Sequence, residues 1–238
     1  MKKLFAAGAV LLAVSACTSA PVPAEPALSA HLDTPLDVTV RWSTAGPAPD
    51  GRVLEYAHDP NGEWTVLKFL APEDNTFKHD SLIPETRFYY RVRPYFGRPS
   101  AEVTVTMPEP KPGEKPDEDP HEWAVPQTLP GGPAATRSLR ADAAAAAPTD
   151  FTGVPMTSQG IRFTWTDNAG DEQHHAIEVR SRTGQPWHTA ALLDANVNSF
   201  GVETLPEERA ATYRVRAFYY GEASTVVTVL TGKEPKGG

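Results

Sequence analysis

The chain repeats itself, and this repeat constrains the fold more than any other feature of the sequence. When the first half is shifted along the chain by a constant offset of 123 positions, Trp42 falls on Trp165 and Trp64 on Trp187 without a gap. Further apolar pairs share that offset: Phe77 with Phe200, Leu82 with Leu205, Tyr90 with Tyr213, and Val92 with Val215. Such a repeat predicts two copies of one folding unit.

Each copy has the pattern of short β-strands. In residues 38–42 and 161–165, apolar side chains alternate with threonine or arginine, which is typical of a strand with one face in a core. Similar runs follow, each bounded by Pro, Gly, Asn or Asp, and the chain holds 24 prolines and 17 glycines. About seven strands in each copy predict a sandwich of two antiparallel sheets. We expect these residues in the two cores: Trp42, Trp165, Leu82, Leu205, Tyr90, Tyr213, Val92 and Val215.

Several of these positions resemble the fibronectin type III family. The resemblance rests on a tryptophan in the second strand and on residues that recur at alternate positions in the first copy: Leu82, Pro84, Thr86, Phe88, Tyr90 and Val92. The second copy adds the run 165–168, Glu172, and the pair Ile177 and Val179. The resemblance implies an all-β fold of two immunoglobulin-like sandwiches in tandem, at residues 24–107 and 148–231, with a polar tail at 232–238. The same sandwich serves many unrelated functions.

The N-terminus has the three parts of a secretory signal. Lys2 and Lys3 precede an apolar run over residues 4–14, which is too short to span a bilayer, and small residues follow. The run 14–17, Val-Ser-Ala-Cys, resembles the lipobox of bacterial lipoproteins, in which the cysteine carries fatty acyl chains such as palmitate. Cys17 is the only cysteine of the chain. The alternative is an ordinary cleaved signal that leaves a free cysteine near the cut.

The resemblance to a lipobox implies an exported protein, held on the bacterial cell envelope by its lipid. Residues 1–16 would be the signal peptide and residues 17–23 a tether. Thr18, rather than aspartate, follows the cysteine, which favours the outer membrane over the inner. Loss of Lys2 and Lys3 changes the formal net charge from −8 to −10, so we expect no nucleic-acid partner, because nucleic acid is bound mainly through Lys and Arg.

Residues 108–147 lack any alternating apolar pattern and predict a disordered linker rich in Pro and Ala, about which the two sandwiches move independently. Within it, residues 121–126 form an apolar island around Trp123. The island has two interpretations: a docking motif for a partner, or a segment that packs on the edge of a domain.

No motif for catalysis is present in the sequence. There is no nucleophile elbow and no phosphate-binding glycine loop, so we expect neither enzymatic activity nor a cofactor. His174 and His175 are adjacent on a predicted strand and therefore point to opposite faces, which disfavours a shared metal ion. The oxygen-rich run from Asp167 to Glu172 lacks the ligand order of a calcium loop and is interpreted as a turn. We therefore predict no metal site.

The candidate binding residues lie near the end of the penultimate strand of each copy. Arginine and aromatic side chains alternate there, which is typical of binding patches, although the arginines could instead pair with Glu55 or Glu178 on the neighbouring strand. Aromatic residues before the last turn are the stronger candidates, together with the island: Tyr95, Phe96, Phe218, Tyr219, Tyr220 and Trp123. The sequence thus favours a non-catalytic lipoprotein whose sandwiches bind an envelope protein or polysaccharide. The alternative is a structural spacer, or an accessory subunit that docks through residues 121–126.

Overall fold

The fold is all-β, as predicted. A computed structural model describes residues 27–43, 48–110, 112–113, 121–132, 136–205 and 208–233. The predicted signal peptide and Cys17 lie outside these residues, and no helix within them is long and apolar enough to cross a membrane. The strands of the first repeat are β1 (Leu28–Thr34), β2 (Asp37–Trp42), β3 (Gly51–Ala57), β4 (Thr65–Leu70), β5 (Thr76–His79), β6 (Arg87–Phe96) and β7 (Val103–Thr106). Those of the second are β8 (Thr149–Pro155), β9 (Gly160–Thr166), β10 (His174–Arg180), β11 (His188–Asp194), β12 (Ser199–Glu203), β13 (Ala210–Tyr220) and β14 (Val227–Leu230).

Each repeat forms an immunoglobulin-like sandwich. In the first, the sheet β1-β2-β5 faces a second sheet that contains β4, β3 and β6, and all neighbouring strands are antiparallel. In the second, the sheet β8-β9-β12 faces β11, β10 and β13 in the same way. Alternation along each strand sends every second side chain into the core. The two cores are built on matching residues, among them Trp42 and Tyr90 in the first and Trp165 and Tyr213 in the second.

The closing strand of each sandwich comes from the other repeat. Strand β7 pairs with β13, and β14 pairs with β6. The side chain of Val105 consequently lies in the core of the second sandwich, and that of Val229 lies in the core of the first. The ranges 24–107 and 148–231 remain the predicted extents of the repeats. Neither range closes its own sandwich, because the two last strands are exchanged.

Two buried serines fix the exchanged strands in the same way. The backbone N–H of Ser100 donates to the carbonyl of Val215 at 2.8 Å, while the N–H of Val215 donates to the Ser100 hydroxyl at 3.1 Å. Ser224 makes the same two bonds with Val92, at 2.8 and 3.0 Å. Each serine therefore pairs with a strand of the other repeat, and the two exchanges are related by an approximate two-fold symmetry.

A direct contact between the two sandwiches accompanies the exchange. The ends of β6 and β13 pair with each other, with Phe96 opposite Tyr219 and Tyr95 opposite Tyr220. One hydrogen-bonded sheet of eight strands therefore runs through both repeats. The prediction that the two sandwiches move independently is wrong, because relative motion would break this pairing and displace both closing strands.

The predicted linker contains no named strand in its described residues, yet much of it lies on the second sandwich. Arg137 forms a bridge with Ala169, and Leu139 and Ala146 are buried beside Ala217. Residues 121–132 also contact that sandwich, as described below. In these ranges the connection differs from a flexible linker, because its apolar residues and backbone groups have partners there.

One core prediction is wrong. Seven of the eight predicted core residues are buried, but Leu205 is 56% exposed. In the first sandwich the N–H of Leu82 donates to Leu36, whereas in the second the equivalent bond to Gln159 comes from Thr204. The second repeat is therefore one residue shorter at this point, and a shift of one residue turns Leu205 outward.

The exchange predicts a specific disulfide. Thr104 and Thr212 are cross-strand partners in β7 and β13, with hydroxyl oxygens 3.2 Å apart. In a Cys17→Ser chain, the double variant Thr104→Cys/Thr212→Cys should oxidise to an intramolecular disulfide, detected by a mobility shift and by peptide mapping. The matched variant Thr104→Cys/Tyr89→Cys, which would pair if β7 closed its own sandwich, should not. The reverse pattern would show that the strands are not exchanged.

Candidate binding site at the junction of the two sandwiches

The five candidate aromatic residues before the last turn of each repeat meet at the junction of the two sandwiches. Tyr95 is 6% exposed and Phe218 is fully buried, with their ring centroids 5.1 Å apart. Phe96 stacks on Tyr219 at 5.5 Å, and Tyr220 packs edge-on against Phe218 at 5.2 Å. Tyr95 and Phe218 do not face solvent, because the β6–β13 pairing places them between the two repeats.

These rings belong to a small apolar cluster between the two sandwiches. Val53 of β3 and Ala176 of β10 are buried beside Tyr95 and Phe218, and Phe69 of β4 packs against them. Alternation in β3 and β10 sends these side chains away from the sandwich cores, so the sheet face predicted to be wet is covered here by the other repeat. Burial, the largest effect in each case, raises the pKa of Tyr95 and that of Tyr220 to about 12.

Beside the cluster, each repeat has a ladder of arginine and glutamate side chains that pair across neighbouring strands. Arg214 Nε lies 2.5 Å from Glu178 Oε2, and Arg216 Nε lies 3.0 Å from Glu178 Oε1. In the first repeat Arg91 Nε lies 2.5 Å from Glu55 Oε2. The cross-strand pairing that the sequence left as an alternative to a binding patch is thus present in both repeats.

A tryptophan lies against each of these ladders. The Arg91 guanidinium sits 4.1 Å from the ring centroid of Trp64, and that of Arg214 sits 4.0 Å from Trp187. Cation–π contacts of this kind stabilise the arrangement by about 0.5–1 kcal/mol each at exposed sites. The repeat of Glu, Arg and Trp at the same offset is what the duplication requires.

The two ladders differ in how they contact the crossover segments, residues 97–102 and 221–226, which lead into the exchanged strands. Arg216 is buried and donates from Nη1 to the carbonyl of Gly97 at 2.6 Å, so it binds the segment that leads into β7. Its counterpart Arg93 lies instead over the ring of Tyr220 at 4.1 Å. The second repeat therefore holds the first repeat's crossover through a buried charge, which must stay paired with Glu178 because an unpaired buried charge is costly.

A cavity of about 270 Å³ opens beside the second ladder. Its walls combine aromatic rings from both repeats with guanidinium groups: Phe69, Tyr95, Trp187, Arg214 and Arg216. A groove of about 330 Å³ lies between the edge strands β4 and β11. Ligand pockets are commonly lined by apolar and aromatic side chains with a few polar groups.

The island around Trp123 packs on the edge of the second sandwich. Its indole covers Gly160 and Gly201, where an added Cβ would lie 2.4 and 2.7 Å from the ring, and His121 stacks on it at 5.0 Å. The N–H of Gly201 donates to Ala124 at 3.2 Å. Of the two interpretations of this segment, the structure supports packing on a domain edge.

The first repeat protects the same edge differently. Asp37 and Lys78 occupy the positions that correspond to Gly160 and Gly201, and they form an ion pair at 3.4 Å. Charged side chains on an edge strand oppose pairing with another chain. Glycines inside a strand often mark a close approach by another segment, and this was the sequence signal for the seat of Trp123.

The oxygen-rich run of the second repeat binds protein groups. The Asp171 carboxylate accepts from the Ser138 hydroxyl at 2.7 Å, the Leu139 N–H at 2.6 Å and Arg140 at 3.1 Å, so this turn anchors the connection 136–147. Glu172 accepts from the N–H of Asn196 at 3.1 Å. Within the described residues, no group of three His, Cys, Asp or Glu is arranged to hold a metal ion.

The two adjacent histidines point to opposite faces, as predicted. His174 lies among the junction rings, 5.3 Å from Tyr220. His175 is fully buried in the other direction, with its ring 5.6 Å from that of Trp165 and its Nε2 3.4 Å from Asp167 Oδ1.

Comparisons with known proteins concern the fold alone. No protein-family model matches the chain, and no curated protein matches it. A fibronectin type III-like protein from Clostridium thermocellum is 23% identical, with a TM-score of 0.27, over 30% of this chain and 75% of that chain. A segment of two fibronectin type III domains from chicken tenascin is 14% identical, with a TM-score of 0.28, over 88% of this chain and 100% of that one. Domains FN1–FN3 of chicken CNTN1 are 15% identical, with a TM-score of 0.27, over 90% and 68%.

The neighbouring acids Asp171 and Glu172 should affect stability with opposite dependence on pH. Desolvation raises the pKa of Asp171, but the hydrogen bonds from Ser138, Leu139 and Arg140 outweigh it, so the pKa lies below its ordinary value of 3.8. Desolvation and then Asp167 raise the pKa of Glu172 above 4.5. An acid with a lowered pKa stabilises the fold at neutral pH and loses this effect in acid, whereas one with a raised pKa destabilises it until it is protonated.

Asp171→Asn should therefore lower the free energy of unfolding at pH 7, with the loss fading as the pH falls below 3.8. Glu172→Gln should raise it at pH 7, with the gain fading as the pH falls toward 4.5. Urea unfolding across this pH range measures both. A parallel pH response of the two variants would contradict the assignment.

Proposed function

We propose that this chain is a non-catalytic lipoprotein of the bacterial cell envelope, whose paired sandwiches bind an envelope protein or polysaccharide. The observation that carries the proposal is the run 14–17 with Cys17, which follows a short apolar segment and two lysines. A fibronectin type III-like fold is suited to a binding or structural role. The outer membrane is the favoured location, and no cofactor is required.

The junction supports a binding role. Binding surfaces are enriched in arginine and aromatic residues, and the cavity of about 270 Å³ is walled by both kinds of residue. Clefts where two domains meet are frequent ligand sites. The candidate residues Tyr95 and Phe218 contribute here by shaping and supporting the junction, since their own rings are buried.

The alternative of an accessory subunit that docks through residues 121–126 receives less support. Trp123 already fills the seat formed by Gly160 and Gly201. Release of the segment would expose this seat and break the bond between Gly201 and Ala124. A partner would have to replace contacts that the chain already makes with itself.

Lipid attachment can be tested at one residue. Cys17→Ser should abolish incorporation of labelled palmitate in a bacterial host and move the protein from the membrane fraction to the soluble fraction, because a hydroxyl cannot form the thioether to lipid. Thr18→Ala is the matched control and should stay labelled and membrane-bound. Equal labelling of Cys17→Ser and the wild type would show that the anchor is elsewhere.

The binding surface can be tested with the two matched tryptophans. Trp187 lines the cavity, whereas Trp64 holds the equivalent place against Arg91 in the first repeat and is not part of it. In a crosslinking pull-down from native envelopes, Trp187→Ala should lose the partner or polysaccharide that the wild type recovers, while Trp64→Ala should keep it. Thermal melts check that both variants are folded. Equal recovery with both variants would place binding elsewhere.

A further inference from the structure

We propose that two copies of this chain exchange halves, so that residues 27–107 of one chain pair with residues 121–233 of the other. Within one chain, each half already donates its last strand to the other half. The partner in this proposal is a second copy of the same chain, and the surface is the receiving edge of β6 and of β13.

The hydrogen bonds that join the described part of the C-terminal arm to other strands go to the first half. The Thr231 hydroxyl oxygen lies 2.7 Å from the carbonyl oxygen of Ile83 and 3.0 Å from that of Thr86, and it accepts from the Thr86 N–H at 2.8 Å. The N–H of Gly232 donates to Pro35 at 2.7 Å, and Val229 lies in the first core. None of these bonds depends on the arm and its receiver belonging to the same chain.

The arm of the first half is bound in the reciprocal way. Val105 and Met107 lie in the second core, and the N–H of Met107 donates to Arg209 at 2.8 Å. Both arms leave their own half through crossover segments of matching length, 97–102 and 221–226. Because these segments are short, each arm can bind only to the half that is already paired with its own half. Exchange between chains therefore moves complete halves and not single strands.

Most of the described connection belongs to the second half. Residues 121–132 and 136–147 stay with the second half through Trp123, Gln127 and Asp171. Arg209 of the second half also contacts Pro108 and Glu109. The remaining connection is therefore residues 110–120, which can span at most about 36 Å when fully extended. In the dimer this connection crosses from one pair of halves to the other, while every contact of the junction is kept.

The balance between monomer and dimer is then set by concentration. Because the contacts are the same in both forms, the monomer is favoured only by the effective concentration of its tethered halves, which is of the order of mM for a short link. Separation of the halves requires both sandwiches to open, so the dimer should persist when it is diluted. This inference does not depend on the lipid anchor or on the ligand.

The test uses two single-cysteine chains in the Cys17→Ser background. Tyr89 and Thr228 are cross-strand partners in β6 and β14. Tyr89→Cys and Thr228→Cys chains are mixed, unfolded, refolded together and then oxidised. Refolding is carried out at about 10 μM, which is below the effective concentration of the tethered halves, and at about 1 mM, which is close to it. Non-reducing electrophoresis and light scattering after gel filtration report cross-links and mass, and melts of each variant confirm folding.

We expect a disulfide-linked dimer of the two variants after refolding at the higher concentration, and little at the lower one. The control mixture of Tyr89→Cys with Thr152→Cys, whose second residue lies in β8 and pairs with Thr164, should remain unlinked. A second control is Tyr89→Cys/Thr228→Cys in one chain, oxidised as a monomer, which should stay monomeric until it is reduced. A monomer at both concentrations would overturn the proposal, as would a dimer that is linked no more than the control mixture.

Discussion

Each sandwich of this protein is completed by four residues that belong to the other repeat, and the remaining structure depends on this constraint. A sandwich of this kind has a core between two sheets, and the last strand covers one side of that core. With β14 on the first sandwich and β7 on the second, neither repeat has a complete core of its own. The stability of each sandwich therefore depends on both repeats, because loss of β7 or β14 opens the core of the sandwich that this strand covers.

The contacts of the junction follow from the exchange. Short crossovers bring the ends of β6 and β13 together, and the side chains there must be apolar or paired because water is excluded. Tyr95 and Phe218 satisfy the first condition, and Arg216 with Glu178 satisfies the second. Arg216 also binds the Gly97 carbonyl, where the first crossover begins. Gly97 has no tolerance for a side chain, since a Cβ would lie 2.0 Å from the carbonyl oxygen of Ala217.

Much of the fold follows from the sequence alone. Alternation over five residues identifies β2 and β9, and the constant offset of Trp42 and Trp165 identifies the duplication. The exchange does not follow, because β7 and β14 both begin with Val-Thr-Val and would fit either receiving strand. Periodicity states which face of a strand is buried but not which strand lies beside it. The exposed position of Leu205 was also beyond the pattern, since it depends on a shift of one residue.

The candidate site was predictable in part. The types of residue and their alternation located Tyr95, Arg216 and Glu178 on one sheet face, and the pairing of arginine with glutamate followed from their place on neighbouring strands. Their burial did not follow, because it comes from the second repeat and not from the strand itself. For Trp123, the two glycines that it covers were visible in the sequence. That the indole lies on them could not be predicted, because it depends on the course of the connection in three dimensions.

The exchange also decides when this protein can fold. Thr86 and Thr231, which are hydrogen-bonded partners, are separated by 145 residues. Folding is slow where native contacts are distant along the chain, since the ends of a long loop must meet before the contact is gained. A ribosome makes the first repeat early, yet that repeat lacks its closing strand until residues 227–230 have emerged. The first repeat therefore cannot complete its core until most of the second repeat has also been made.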